Sequence, residues 1–295
     1  MKKLPLDVST FETLIKGGYL YVDKTRDIHT LITTGRYYFL SRPRRFGKTL
    51  LVSTLEEIFS GNRDLFKGLW IDSSDYSWDK HPVITFDFST IDSSSPEAFK
   101  KALDLELEDK ADELEVTLPT GGGSARKLKN LVRQLAKKNK VVILIDEYDY
   151  PLVNILDNPE VLKGNLKIIS NFFTAIKGLD KHLRALFITG VSQIPKASIF
   201  SGLNNPNNIS LDPMAATLLG YTKEELVTYF SEHITQLALL EQKPQEDLLK
   251  AIQQWYNGYQ FSEKDSKVYN PFSVHYLFTK KKFDNYWFDS ATPKF

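Results

Sequence analysis

Cysteine is absent from all 295 residues. Disulfides, thiolate metal sites and cysteine nucleophiles are thereby excluded, and the composition fits a reducing compartment. Long apolar runs are missing too. No stretch approaches the roughly 18 residues that a membrane-spanning helix needs. The opening residues, Met1 to Leu6, lack the apolar centre of a secretion signal, so the expectation is a cytoplasmic protein with no membrane partner. An excess of one charge is the third absence. Lys and Arg number 38 against 37 Asp and Glu, a formal net charge of +1. Overall charge therefore predicts neither nucleic-acid nor membrane binding. What is present, 42% hydrophobic and 13% aromatic residues, is ample for a large core. The length favours one large domain with a smaller subdomain.

The most informative stretch runs from Phe39 to Leu51 and contains Arg42-Pro43-Arg44-Arg45-Phe46-Gly47-Lys48-Thr49. Tyr37 to Leu40 reads as a buried strand, and Lys48 to Phe59 as a helix. Strand, tight loop, Gly-Lys-Thr and helix is the layout of a phosphate-binding loop. Backbone N–H groups at a helix N-terminus point at an anion, and the helix dipole adds partial positive charge there. In such a loop Lys48 reaches the outer phosphates and the Thr49 hydroxyl holds Mg²⁺. The first glycine of the usual pattern is replaced by Arg42, which leaves a second reading open. Arg42, Arg44 and Arg45 would then form a basic patch facing solvent or nucleic acid.

A second motif favours the first reading. Lys140 to Asp149 places five consecutive apolar residues, Val141 to Ile145, before Asp146 and Glu147. Such a run reads as a central parallel strand buried on both faces. Ligands in open α/β sheets bind at the carboxyl ends of strands, where these two acids fall. In a nucleotide hydrolase Asp146 would hold the Mg²⁺ shell and Glu147 would polarise the attacking water.

Further strands are expected near residues 83, 184 and 208, with helices between most of them, which argues for a parallel α/β sheet. Residues 1–35 form an approach segment, with a short helix near Phe11 and another over Thr25 to Thr34, expected to pack over the nucleotide. Asp23 and Lys24 read as solvated turn residues, with contact to the base or ribose as the alternative. The strand over 183–192 ends in polar residues. Thr189 and Ser192 there are candidates for a sensor of the γ-phosphate, or for simple strand-end hydrogen bonding. Residues 36–218 are the expected core. From Leu219 a helical lid over 219–295 follows, opened by the capping box Thr222 to Glu225 and continued as one helix from Leu226 to Leu240. Its aromatic corners, Trp255 to Tyr259 and Val268 to Ser273, are expected to be packing features, with stacking on a base or nucleic acid as the alternative.

With these pieces assembled, the chain resembles the bacterial predicted AAA-ATPase (AAA-ATPase-like) family. The matching pieces are Tyr21 to Thr25, Arg42 to Thr49, Ile145 to Asp149, Gly190 to Ser192, Leu219 to Thr222, Trp255 to Tyr259 and Tyr269 to Pro271. The resemblance implies a P-loop NTPase sheet of the ASCE/AAA type, flanked by helices, with ATP and Mg²⁺ as ligands. It implies that Gly47, Lys48 and Thr49 bind phosphate and metal and that Asp146 and Glu147 are the Walker B pair. It also accounts for Arg42, since the loop of this family carries arginine there. Members are usually fused to a C-terminal PD-(D/E)xK nuclease domain. Glu108-Asp109-Lys110 lacks the flanking strands of such a site, so no nuclease centre is expected in this chain.

The expected assignment is therefore an Mg²⁺-dependent ATPase regulating an associated nuclease or partner domain. Glu147, Lys48 and Arg45 would be catalytic. Arg44, Phe46, Gly47, Lys48, Thr49, Leu50, Thr189 and Ser192 would bind nucleotide, and Thr49 and Asp146 would hold the metal. The alternatives are a non-hydrolysing ATP-dependent switch and a nucleic-acid-binding accessory using Arg42, Arg44, Arg45 and the basic helix over 125–138.

Overall fold

A computed structural model describes residues 1–192, 206–263 and 266–290. Five parallel strands form the central sheet: β1 (Tyr37–Ser41), β2 (Val83–Asp87), β3 (Val141–Asp146), β4 (Leu183–Gly190) and the short β5 (Asn207–Asn208). Their spatial order is β2-β3-β4-β1-β5. β4 is thus the central strand, inserted between the loop strand β1 and the acid-bearing β3. β3 is buried at every position, as its unbroken apolar run requires.

Alternation along the strands sorts side chains to two faces. Ile143, Ile145 and Ile188 pack on one side with Phe99 and Leu103 of α4 (Pro96–Glu113), Leu128 and Leu131 of α5 (Gly123–Leu135) and Phe172 of α7 (Pro159–Lys177). Val142, Leu144 and Phe187 pack on the other with α1 (Phe11–Lys16), α2 (Thr25–Thr34) and α3 (Lys48–Phe59). A one-turn helix, α6 (Tyr150–Val153), follows β3 where the sequence predicts only a stop. Pro151 sits in its first turn, where a missing N–H costs nothing.

A third core belongs to the C-terminal helices α8 (Lys223–Tyr229), α9 (Ser231–Glu241), α10 (Gln245–Tyr256) and α11 (Pro271–Lys280), with the two-residue strands β6 (Tyr259–Gln260) and β7 (Lys267–Val268). A last short helix, α12 (Tyr286–Ser290), follows. The capping box is present: the Thr222 hydroxyl accepts from Glu225 N–H, and Glu225 accepts from Thr222 N–H. The expected single helix from 226 to 240 is broken at Phe230. That ring is fully buried, stacked on Phe278 and against Tyr221, which fixes it between elements of the lid.

The approach segment has no core of its own. Phe11, Ile28 and Leu31 join the sheet-side cluster, whereas Leu20 and Val22 join the lid cluster. Asp23 and Lys24, expected as solvated turn residues, are structural joints. The Asp23 carboxylate accepts from Thr25 N–H and Trp70 N–H. Buried Lys24 donates to both Glu225 oxygens at 2.6 Å and to the Thr217 carbonyl at 2.7 Å.

Candidate functional site

Strand β1 delivers the chain to the loop over residues 42–47, and α3 begins at Lys48. Gly47 caps that helix with φ +88°, a left-handed conformation that only glycine adopts without strain. Arg45 is also left-handed, at φ +67°. Arg42, at the position of the usual first glycine, is 1% exposed. Its guanidinium donates to the carbonyls of Ser41, Ser210 and Ala215 at 2.9, 2.7 and 2.8 Å, and it lies 4.0 Å from the ring centroid of Phe261. Burial draws its pKa down to about 10. Arg42 therefore rivets the loop to the chain after β5. It cannot contribute to the basic patch of the nucleic-acid reading. Lys127 of the basic helix is withdrawn as well, buried and paired with Glu108 at 2.7 Å.

The remaining loop residues face a cleft of about 850 Å³, within the size range of small-molecule sites. Arg44, Arg45, Phe46, Gly47, Lys48, Thr49 and Leu50 all line it, as does Glu147. Lys48 is buried, with its ammonium 3.3 Å from the Pro43 carbonyl. Burial lowers its pKa, while Glu147, Asp146 and Asp149 oppose that shift. The Thr49 hydroxyl donates to one Asp146 oxygen at 2.7 Å. The other Asp146 oxygen accepts from the Thr189 hydroxyl and, at 3.0 Å, from Glu147 N–H.

Glu147 itself stands at φ +50°. For a residue with a Cβ this conformation costs roughly 1–2 kcal/mol and persists only when neighbours over-determine it. Its carboxyl pKa is raised, first by burial, with Asp146 adding and Lys48 opposing. The turn thus presents a carboxylate to the cleft on the same side as Lys48, and the raised pKa moves it toward the range useful for a general base.

Thr189 and Ser192, the sensor candidates, do not line the cleft. Thr189 is fully buried with its hydroxyl on Asp146. The Ser192 hydroxyl donates to Asp149 at 2.5 Å. Both make strand-end hydrogen bonds. Contacts from the C-terminal part to the loop are direct. Trp287 Nε1 donates to the Arg44 carbonyl at 3.0 Å, Phe46 packs on Tyr259 at 4.7 Å between centroids, and the Arg45 guanidinium lies 5.2 Å from Phe272. Pro5 to Ser9 of the approach segment, expected over the nucleotide, also line the cleft, and Tyr150, Asn154, Leu218 and His275 are cleft residues that escaped the sequence reading. Tyr221 and His275 hydrogen-bond at 2.8 Å, and the buried imidazole also meets the Pro5 backbone. Nothing in the local sequence of these residues marks them. They meet only because the approach segment and the lid converge over the loop.

A family model described as "Predicted AAA-ATPase" matches residues 5–200, about two thirds of the chain. This chain belongs to that family. Its five-stranded parallel sheet, flanked by helices and with Gly-Lys-Thr opening the helix after β1, is an α/β fold. Among curated relatives of the AAA-ATPase-like chain is the "uncharacterized protein in vnfD 5'region" of Azotobacter chroococcum mcd 1, 39% identical over 300 residues. The match takes in 100% of this chain and 55% of the relative, so the chain spans about half of that protein's length. Among solved structures, the Orc1 protein of Aeropyrum pernix in complex with DNA aligns over 78% of this chain and 58% of its own. The identity is 12% and the TM-score 0.41.

Proposed function

We propose that this AAA-ATPase-like chain binds ATP with Mg²⁺ in the cleft and hydrolyses it. The observation that carries the reading is the contact between the Thr49 hydroxyl and Asp146, with Glu147 turned into the same cleft as Lys48. The N–H groups of Gly47 and the first turn of α3 would receive the phosphates, and Lys48 would exchange its Pro43 carbonyl for phosphate oxygens. Thr49 and Asp146 fit Mg²⁺. They offer adjacent hard oxygens, and this ion takes one or two protein oxygens and fills its octahedron with phosphate and water. When bound, the ion would neutralise charge developing on the phosphates. Glu147 would take the proton of the attacking water, and Arg45, with Arg44 beside it, would offset γ-phosphate charge.

Calorimetric titration with Mg-ATP tests the binding half. The wild type should bind, and Lys48→Ala should bind at least tenfold more weakly. Equal affinities would remove Lys48 from the site.

A switch reading is favoured by the grip of the C-terminal part on the loop through Trp287, Phe272 and Tyr259. Nucleotide would then bias the lid, and an associated nuclease or partner domain would read its position. Tight ATP binding with no turnover would select that reading over hydrolysis.

A further inference from the structure

Asp149 is a buried carboxylate that the hydrolytic reading leaves unused. It is 2% exposed and does not line the cleft. Its oxygens accept from Val191 N–H at 3.1 and 3.2 Å, from Ser192 N–H at 2.7 Å and from the Ser192 hydroxyl at 2.5 Å. Its backbone carbonyl accepts from Leu152 and Val153, closing the turn that sets Tyr150 and Asn154 on the cleft wall.

The surrounding contacts all tie one turn to one strand end. Tyr148 N–H donates to the Thr189 carbonyl at 3.0 Å, and the Tyr148 hydroxyl donates to the Ser192 carbonyl at 3.0 Å. Gly190 permits the approach, because a Cβ there would come within 2.6 Å of both the Asp149 carboxylate and the Tyr148 ring. Glu147 sits between Asp146, held by Thr49 and Thr189, and this clasp on its other side. A left-handed residue fixed at both flanks has no easy route back to an ordinary backbone conformation.

We propose that Asp149 is a positioning residue. By clasping the end of β4 it holds the Glu147 backbone left-handed and so aims the Glu147 carboxylate into the cleft. The Ser192 hydroxyl is part of that clasp rather than a direct reader of phosphate. The inference rests on the hydrolytic reading for its consequence, though not for its structural content.

The test pairs kinetics with amide hydrogen exchange on Asp149→Ala, Asp149→Asn and Ser192→Ala. Misplacing a reacting group by about 1 Å costs on the order of 10²-fold in rate. Asp149→Ala should therefore lose kcat on that order with KM for ATP nearly unchanged, the signature of a transition-state contribution. Asp149→Asn, which keeps an acceptor oxygen, should recover much of it, and Ser192→Ala should lose less than Asp149→Ala. Exchange at Tyr148, Val191 and Ser192 should accelerate in Asp149→Ala and hardly at all in Asp149→Asn. Wild-type kcat in Asp149→Ala would overturn the proposal, as would unchanged exchange at Tyr148. Should Asp149→Ala fail to fold, a Ser192→Ala variant with wild-type kcat and exchange would overturn it equally. A wild type that binds ATP without turnover would defeat the hydrolytic reading alone, and the exchange result would still decide the clasp.

Discussion

Arg42 shows how much a single side chain contributes when its charge is taken out of water. Desolvating a guanidinium is costly, and here three carbonyls and an aromatic face offset that cost. Restoring the usual residue with Arg42→Gly would leave the Ser210 and Ala215 carbonyls without this donor and open a void beneath Phe261. Each stranded carbonyl costs about 1–3 kcal/mol. The variant should unfold at a clearly lower urea midpoint with the slope unchanged, and Arg42→Lys should rescue little, since an ammonium lacks the planar fork. A midpoint equal to wild type would contradict the rivet. The residues proposed for the chemistry were legible for the opposite reason. Gly47, Lys48, Thr49 and Glu147, which line the cleft, and Asp146, bonded to Thr49 beside it, stand where strands end, and strand ends are visible in the sequence. Apart from the Ser41 carbonyl, the partners of Arg42 lie beyond position 209, and no local pattern announces them.

At the scale of elements, the four long strands and the loop helix fall where apolar runs and turn residues put them. Misses occur where tertiary contact overrides local preference. Phe230 breaks a helix that the periodicity would continue, and β5 pairs only over Asn207 and Asn208. Thr189 and Ser192 sit at a polar strand end as expected, but the direction of their hydroxyls depends on Asp146 at the end of β3 and on Asp149 in the turn that follows it. Lys24 is the clearest case. The expected turn residue is a buried ion-pair partner that joins α2 to α8. Burial lowers its pKa, with Glu225 opposing. Removing one member of such a pair costs about 3–5 kcal/mol, whereas removing both charges costs far less. Lys24→Met should therefore be more destabilising in urea than Lys24→Met combined with Glu225→Gln, in which the glutamine still completes the capping box. A double variant weaker than the single one would contradict the account.

The sheet core and the C-terminal helices both pack against the approach segment, and residues from all three line the cleft. Among the described residues, no helix is long and apolar enough to cross a membrane. His275 ties lid to approach segment through Tyr221 and Pro5, and burial lowers its pKa from 6.5 to about 4. Between those values the unfolded chain holds a proton that the folded chain refuses, so stability rises with pH across that window. The contribution is complete above pH 6.5 and declines as pH falls toward 4, by about 3 kcal/mol at most. Urea midpoints measured across that range should fall with acidity, and more shallowly in His275→Gln. Equal slopes would show that the imidazole is not held neutral. The central claim concerns what the closed cleft does with ATP. Its most direct measurement is phosphate release from Mg-ATP by the wild type beside Glu147→Gln, with nucleotide binding measured on both. The account predicts wild-type turnover, a loss of at least 10²-fold in the variant and equal binding. Turnover that survives Glu147→Gln undiminished would contradict it.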